Sequence, residues 1–183
     1  ENKTWEYVTN IITPKVYTNC CKEYIENFDL LKKEIGLSNT KIPQLRDISE
    51  VLESKTGFTI VPVGGLLLPR YFLNLLAFKV FPSTQFIRPL LKCEHNGEPD
   101  VLHEIIGHTS MLCDKNFADF SQQIGIASLG ASNEDLEKLA KIYWFTIEYG
   151  LVKELSDGIS KLKIYGGAIV PSIFEIDYAL SMQ

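Results

Sequence analysis

The spacing of hydrophobic and polar positions predicts a chain built mostly from helices. Leu45, Ile48 and Leu52 recur at helical spacing, and Gly57 is a typical residue for the end of that helix. Ser132 followed by Asp135 resembles a capping box at the start of another helix. That helix is expected to run over residues 132–148, and the same periodicity predicts three further helices, over 69–80, 100–106 and 117–128.

The hydrophobic pattern of the N-terminal third predicts two helices separated by a proline. A short helix over residues 5–12 is expected to stop at Pro14, because proline lacks a backbone N–H and clashes with the preceding turn. A longer helix over 15–35 is expected to end at Gly36. Extended structure is predicted only for residues 58–63 and 161–164, and a last helical segment follows the turn at 165–172. The predicted fold class is therefore mainly α with a few short β-strands.

Composition and charge narrow the classes of partner. The net charge is −5 and there is no basic run, so we expect no nucleic-acid partner. The longest apolar zone is interrupted by prolines and polar residues, and the N-terminus has no signal-peptide pattern, so we expect no membrane association. The four cysteines form no C-x-x-C pair, which favours reduced thiols in a cytoplasmic protein. A small molecule or another protein is the expected partner.

The three histidines fall within fourteen positions of one another. His95 lies in a polar loop and is interpreted as a surface residue. His103 and His108 resemble the zinc-protease pattern H-E-x-x-H with one residue too many. Residues five apart differ by about 140° around an α-helix, so both imidazoles can reach one ion only if the helix ends or loosens between them, which Gly107 permits. A zinc hydrolase with Glu104 as its base is a weaker alternative for this reason.

Glu148 lies inside the apolar and aromatic run "KIYWFTIEYGL". A buried carboxylate is costly unless it is paired, protonated or bound to a metal. Two hypotheses follow from the residues alone: Glu148 is a third metal ligand, or it faces solvent at the end of its helix.

Four long stretches of the chain are informative together: "TGFTIVPVGGLLLPRYFLNLLAFKVF", "EPDVLHEIIGH", "FADFSQQIGIASLGAS" and "KLAKIYWFTIEYGL". In this order they resemble the catalytic domain of the pterin-dependent aromatic amino acid hydroxylases. The resemblance implies one catalytic domain across residues 1–183, which we expect to be C-terminally incomplete. We also expect no regulatory domain and no tetramerisation helix, as in the short bacterial members.

The resemblance also implies an activity and its cofactors. The expected enzyme is a monooxygenase that uses Fe(II), a tetrahydropterin cosubstrate and O₂ to hydroxylate the ring of an aromatic amino acid. Trp144 favours phenylalanine or tyrosine over tryptophan as the substrate. The implied iron ligands, which are also the implied catalytic residues, are His103, His108 and Glu148. The implied pterin-binding residues are Gly65, Leu67, Pro69, Phe72, Glu104, Ala140 and Tyr143. The implied substrate-binding residues are Arg88, Asn96, Gly97, Pro99, Trp144 and Ser172.

The chain departs from the family pattern near the expected site. Pro171 stands where the family has a serine that supports the first iron-ligand histidine, and Ser172 follows it. The triplet at residues 95–97 differs from the one that helps to bind the amino acid, and Thr109-Ser110 replaces Val-Pro. These changes keep open an alternative, a catalytically impaired relative that binds the amino acid or the pterin.

Overall fold

A computed structural model describes residues 1–93, 97–156 and 158–181. Its helices are α1 (Asn2–Asn19), α2 (Lys22–Ile35), α3 (Leu45–Thr56), α4 (Pro69–Ala77), α5 (Ser110–Leu112), α6 (Lys115–Ser128), α7 (Asn133–Tyr143) and α8 (Glu175–Ser181). A short 3₁₀ turn covers Leu90–Lys92. Two further segments are π-helices: the first covers His103–Thr109 and the second covers Trp144–Glu148. The strands are β1 (Thr59–Val63), β2 (Val80–Thr84), β3 (Leu151–Ser156) and β4 (Ile159–Ile164). The prediction of a mainly α fold with few strands is confirmed.

Helix α1 continues through Pro14, so the prediction of a break at that residue is wrong. Ile12 and Val16, on either side of the proline, are both buried in the core, and this packing keeps the chain helical. The break comes later, where the backbone N–H of Cys21 donates to the carbonyl of Ile164 over 2.9 Å. The first two helices are therefore separated where the chain meets β4.

A β–α–β unit forms where one strand, over residues 58–63, and one helix, over 69–80, were predicted. Helix α4 ends at Ala77, and Lys79 adopts a left-handed conformation with φ of 56°. Strand β2 then pairs in parallel with β1, from Thr59 opposite Val80 onwards. The ammonium group of Lys79 donates to the carbonyl of Thr56 over 2.7 Å and fixes the turn. The predicted helix was too long because the apolar residues of β2 continue its hydrophobic pattern.

Strands β3 and β4 form an antiparallel pair that directly follows the second π-helix. Only the second of these strands was predicted. For the first, no element was predicted between the helix that ends near residue 148 and the strand at 161–164. Within the described residues, none of the helices combines the length and hydropathy needed to cross a bilayer.

The predicted helix boundaries at glycine and at the capping box are confirmed. Gly36 and Gly57 end α2 and α3 with φ of 63° and 79°, a conformation that glycine adopts without strain. The hydroxyl of Ser132 accepts a hydrogen bond from the backbone N–H of Asp135 over 3.1 Å at the start of α7. Of these helices, α7 leads directly into the second π-helix.

Candidate metal centre and its two clefts

The two π-helices carry the three predicted metal ligands. His103 and His108 lie in the first π-helix, and Glu148 is the last residue of the second. The i→i+5 hydrogen bonds of a π-helix place residues five apart on successive turns of one face. The sequence left open whether the helix ends or loosens between the two histidines, and in the structure it loosens: it widens and continues into α5.

The ligand atoms of these three side chains converge. The Nε2 atoms of His103 and His108 are 3.0 Å apart. Glu148 places Oε2 3.5 Å from Nε2 of His103 and Oε1 3.4 Å from Nε2 of His108. Two ligand atoms about 2.1 Å from a metal ion and about 90° apart would be about 3.0 Å from each other. The observed separations therefore suit one metal ion.

Burial and hydrogen bonding favour a cation at this position. Glu148 is only 9% exposed, and its Oε2 atom has no hydrogen-bond partner among the described residues. An unpartnered buried carboxylate oxygen is costly, and a bound cation removes that cost. The two imidazoles and this unpartnered carboxylate oxygen therefore form a donor set that fits a metal ion.

The protonation states also suit metal binding. Burial lowers the pKa of His103 to about 4, so its imidazole is neutral near pH 7. Burial alone would lower the pKa of His108, but the charge and hydrogen bond of Glu148 leave that pKa raised. Burial would raise the pKa of Glu148, but His108 more than offsets this and leaves it lowered. A metal ion displaces the remaining proton from such a cluster, because only deprotonated groups are ligands.

A glycine pair at residues 166–167 fixes both ligand-bearing segments. A Cβ at Gly167 would lie 2.2 Å from Cε1 of His108, and one at Gly107 would lie 2.2 Å from the carbonyl oxygen of Gly167. The N–H of Gly167 donates to the carbonyl of Ile147 over 2.8 Å. The pair therefore contacts the imidazole on one side and the backbone next to Glu148 on the other. Sequence reasoning missed this contact, because the glycines follow the motif at a distance.

Glu104 is a second carboxylate close to the imidazoles. Three possible ligand atoms, one from each of His103, Glu104 and His108, lie within 4.8 Å of one another. However, Oε1 of Glu104 already accepts weak hydrogen bonds from Thr84, from its N–H over 3.4 Å and its hydroxyl over 3.5 Å. Burial raises the pKa of Glu104 to about 7. Glu148 is therefore the better third ligand, because its free oxygen faces the imidazoles.

The first cleft at the centre contains part of the predicted pterin set. Its lining includes Gly65, Leu67, Phe72 and Glu104, together with the three candidate metal ligands. Three other predicted members do not line it: Pro69, Ala140 and Tyr143. Pro69 is exposed at the start of α4, whereas Tyr143 packs edge-on against Phe72 with ring centroids 5.1 Å apart. Tyr143 therefore supports the cleft wall from behind.

The second cleft contains most of the predicted substrate set. Its lining includes Arg88, Gly97, Pro99, Trp144 and Ser172. Asn96, the remaining predicted member, lies outside the described residues. Both clefts share four lining residues: Leu66, Pro99, His103 and Glu148. A ligand in either cleft would therefore be next to the candidate metal centre.

Arg88 forms a buried ion pair at the wall of the second cleft. Its Nε and Nη2 atoms donate to the two carboxylate oxygens of Asp100 over 2.8 and 2.6 Å, and both side chains are at most 3% exposed. Nη1 donates to the carbonyl of Pro171 over 3.2 Å. Asp100 also accepts from the backbone N–H of His103 over 3.0 Å. Sequence reasoning placed Asp100 at a helix start but missed this pairing.

Comparison with known proteins identifies the family. A family model described as biopterin-dependent aromatic amino acid hydroxylase matches residues 1–183. The chain is 46% identical over 183 residues to tyrosine 3-monooxygenase of Rattus norvegicus, and 48% identical over 181 residues to phenylalanine-4-hydroxylase of Homo sapiens. These matches cover 100% and 99% of this chain, but only 36% and 39% of the two relatives.

Solved structures agree with this assignment. The apo structure of the cold-active phenylalanine hydroxylase from Colwellia psychrerythraea 34H matches with a TM-score of 0.90 and 35% identity, over 100% of this chain and 67% of that one. The phenylalanine hydroxylase of Chromobacterium violaceum with bound iron(III) and 7,8-dihydrobiopterin matches with a TM-score of 0.87 and 29% identity, over 97% and 62%. The family match over the whole chain, with relatives of this similarity, shows that the chain belongs to the biopterin-dependent aromatic amino acid hydroxylases.

Proposed function

We propose that this chain carries the catalytic centre of a monooxygenase that hydroxylates the ring of an aromatic amino acid, using Fe(II), a tetrahydropterin and O₂. The observation that supports this most strongly is the convergence of two imidazoles and one carboxylate with an unpartnered oxygen. Two histidines and one carboxylate on one side of an ion are typical of non-haem Fe(II) oxygenases. The iron and dihydropterin bound to the C. violaceum relative are consistent with this choice.

In this proposal the metal is held by His103, His108 and Glu148. Bound iron and reduced pterin would together supply the activation of O₂. The protein's own contribution is to hold the ligands and to limit the access of water. His108 and Glu148 are at most 9% exposed, so their side chains have little contact with solvent. This burial protects a reactive centre from side reactions.

The first cleft is proposed to bind the pterin. Phe72 offers an aromatic face and is held edge-on by Phe81 and Tyr143, with centroids 6.2 and 5.1 Å away. Glu104 offers a carboxylate whose raised pKa lets it carry a proton near pH 7. A heterocycle with ring nitrogens and exocyclic amine groups suits a cleft that combines these two features.

The second cleft is proposed to bind the amino acid, with phenylalanine or tyrosine favoured over tryptophan. Arg88, held in place by Asp100, contributes a guanidinium to the wall of this cleft, and its positive charge suits the substrate's carboxylate. Trp144 is half exposed and stacks at a tilt on Tyr149, with centroids 4.9 Å apart. This pair offers an apolar wall for an aromatic ring.

Product analysis tests the proposal. The chain is loaded with Fe(II) and incubated with reduced pterin, O₂ and each of phenylalanine, tyrosine and tryptophan, with Glu148→Ala as the control. Hydroxylated product is expected from the wild-type chain alone, and most from phenylalanine or tyrosine. Binding without product from any amino acid would support the impaired-relative alternative. Dominant turnover of tryptophan would refute the substrate preference, and purification with zinc instead of iron would favour a hydrolase.

A cytoplasmic location is also proposed. All four cysteines are free and buried, as expected for a protein that folds in a reducing compartment. Mass spectrometry of the protein alkylated in denaturant without reductant should find all four as thiols, and a native disulfide would contradict this location.

A further inference from the structure

The widened turn between the two histidines receives hydrogen bonds from two side-chain hydroxyls. Thr109 donates through Oγ1 to the carbonyl of Ile105 over 2.6 Å. Tyr24, on helix α2, donates through its hydroxyl to the carbonyl of the next residue, Ile106. Both donors are completely buried. Two successive carbonyls of the first π-helix are thus bound by hydroxyls, one from the last residue of the same helix and one from α2.

The position of Tyr24 is well suited to hold that turn. Its ring stacks on Phe28 with centroids 6.1 Å apart, so its direction is set by packing within α2. Burial raises the pKa of Tyr24 well above its ordinary value, which keeps the phenol protonated as a donor. In addition, Gly107 lies so close to the carbonyl of Gly167 that no side chain would fit between them. The turn is therefore held by Tyr24 and by the backbone of Gly167.

A turn of this kind needs such support, because π-helical turns are rare and less favourable than α-helical ones. A relaxed α-helix would rotate His103 and His108 about 140° apart and separate their imidazoles. We propose that Tyr24 and Thr109 are positioning residues that hold the widened turn, so that both histidines face one metal ion. This inference depends on the proposed metal centre but concerns residues that do not contact the metal.

The test compares Tyr24→Phe and Thr109→Val with the wild-type chain in full length. Thr9→Val is the matched control, since Thr9 is 2% exposed and donates to the carbonyl four residues earlier, over 2.7 Å, outside the site. Thr109→Ser keeps the hydroxyl and serves as the conservative variant. Each protein is titrated with Co(II), which replaces Fe(II) as a spectroscopic probe, and its folding is checked by circular dichroism.

We expect Tyr24→Phe and Thr109→Val to lose about tenfold in Co(II) affinity, as happens when groups that orient metal ligands are removed. We also expect their Co(II) absorption spectra to change, while Thr9→Val and Thr109→Ser keep the wild-type affinity and spectrum. Folded Tyr24→Phe with wild-type affinity and spectrum would overturn the inference, as would an equal loss in Thr9→Val. A wild-type chain that binds no Co(II) would overturn the proposed metal centre itself, and the inference with it. If Thr109→Val does not fold, the inference is tested by Tyr24→Phe alone, which should lose affinity while Thr109→Ser keeps it.

Discussion

Replacing Gly167 with alanine tests whether the glycine pair sets the geometry of the metal centre. The new Cβ would lie 2.2 Å from Cε1, 2.5 Å from Nδ1 and 2.7 Å from Nε2 of the His108 ring. Ordinary contacts begin at 3.4 Å. The ring or the loop must therefore move by about 1.2 Å, the difference between the first of these distances and an ordinary contact.

The surrounding hydrogen bonds determine what such a shift does. The loop cannot retreat freely, because the N–H of Gly167 donates to Ile147 over 2.8 Å and that of Ala168 donates to Glu148 over 2.9 Å. Metal–ligand distances tolerate only about 0.2 Å, so either movement spoils the ligand set. We expect Gly167→Ala to lose about tenfold to a hundredfold in metal affinity and about 1–3 kcal/mol in the free energy of unfolding.

Metal affinity is measured by competition titration with Co(II) and a chromophoric chelator, and stability by urea unfolding of the metal-free chain. Gly64→Ala is the control, because a Cβ at Gly64 would have no atom within 4 Å. Wild-type affinity in Gly167→Ala would refute the reasoning, because it would mean that His108 can move by an ångström without consequence. A loss of stability with unchanged affinity would refute it in the same way.

Other changes test separate parts of the structure. Glu148→Gln should abolish tight Co(II) binding, because it removes the charged ligand, and retained binding would point to Glu104 as the ligand instead. Asp100→Asn should lower the free energy of unfolding by about 3–5 kcal/mol, because it leaves a buried guanidinium without its counter-charge; an unchanged urea midpoint would contradict this. Ser132→Ala should lower the free energy of unfolding by about 1 kcal/mol in the same assay, because it removes the cap of α7. An unchanged free energy would mean that the cap does not stabilise the protein. Burial raises the pKa of Cys21 to about 11, so native Cys21 should react slowly with iodoacetamide at pH 8 and faster as the pH rises; rapid labelling at pH 8 would disprove this.

Local signals predicted the parts of the fold that depend on local chemistry. Gly36 and Gly57 end their helices because a left-handed residue favours glycine, and this preference is visible in the sequence. Ser132 begins α7 because its hydroxyl accepts a hydrogen bond from the N–H of Asp135, only three residues later in the sequence. The five-residue spacing of the two histidines also indicated a departure from an α-helix at the correct place.

Tertiary contacts decided the features that the sequence did not predict. Pro14 remains within a helix because Ile12 and Val16 pack into the core around it, and no local preference encodes this packing. The π-helical turn has no compositional signal, so loosening could be expected but its form could not. The pairing of Arg88 with Asp100 joins a loop to a helix start, and only the folded chain brings them together.

The extra residue in each widened turn also changes the phase of the helix. It advances the chain by about 100° relative to an uninterrupted α-helix. Met111 and Leu112, which are buried beyond the first of these turns, take their present directions with that change of phase included. The same sequence relaxed to an α-helix would turn both side chains by about 100°, and residues 104–113, which are all buried, would have to repack. Deleting one residue between the histidines would instead remove the widened turn and keep the residues beyond it in phase.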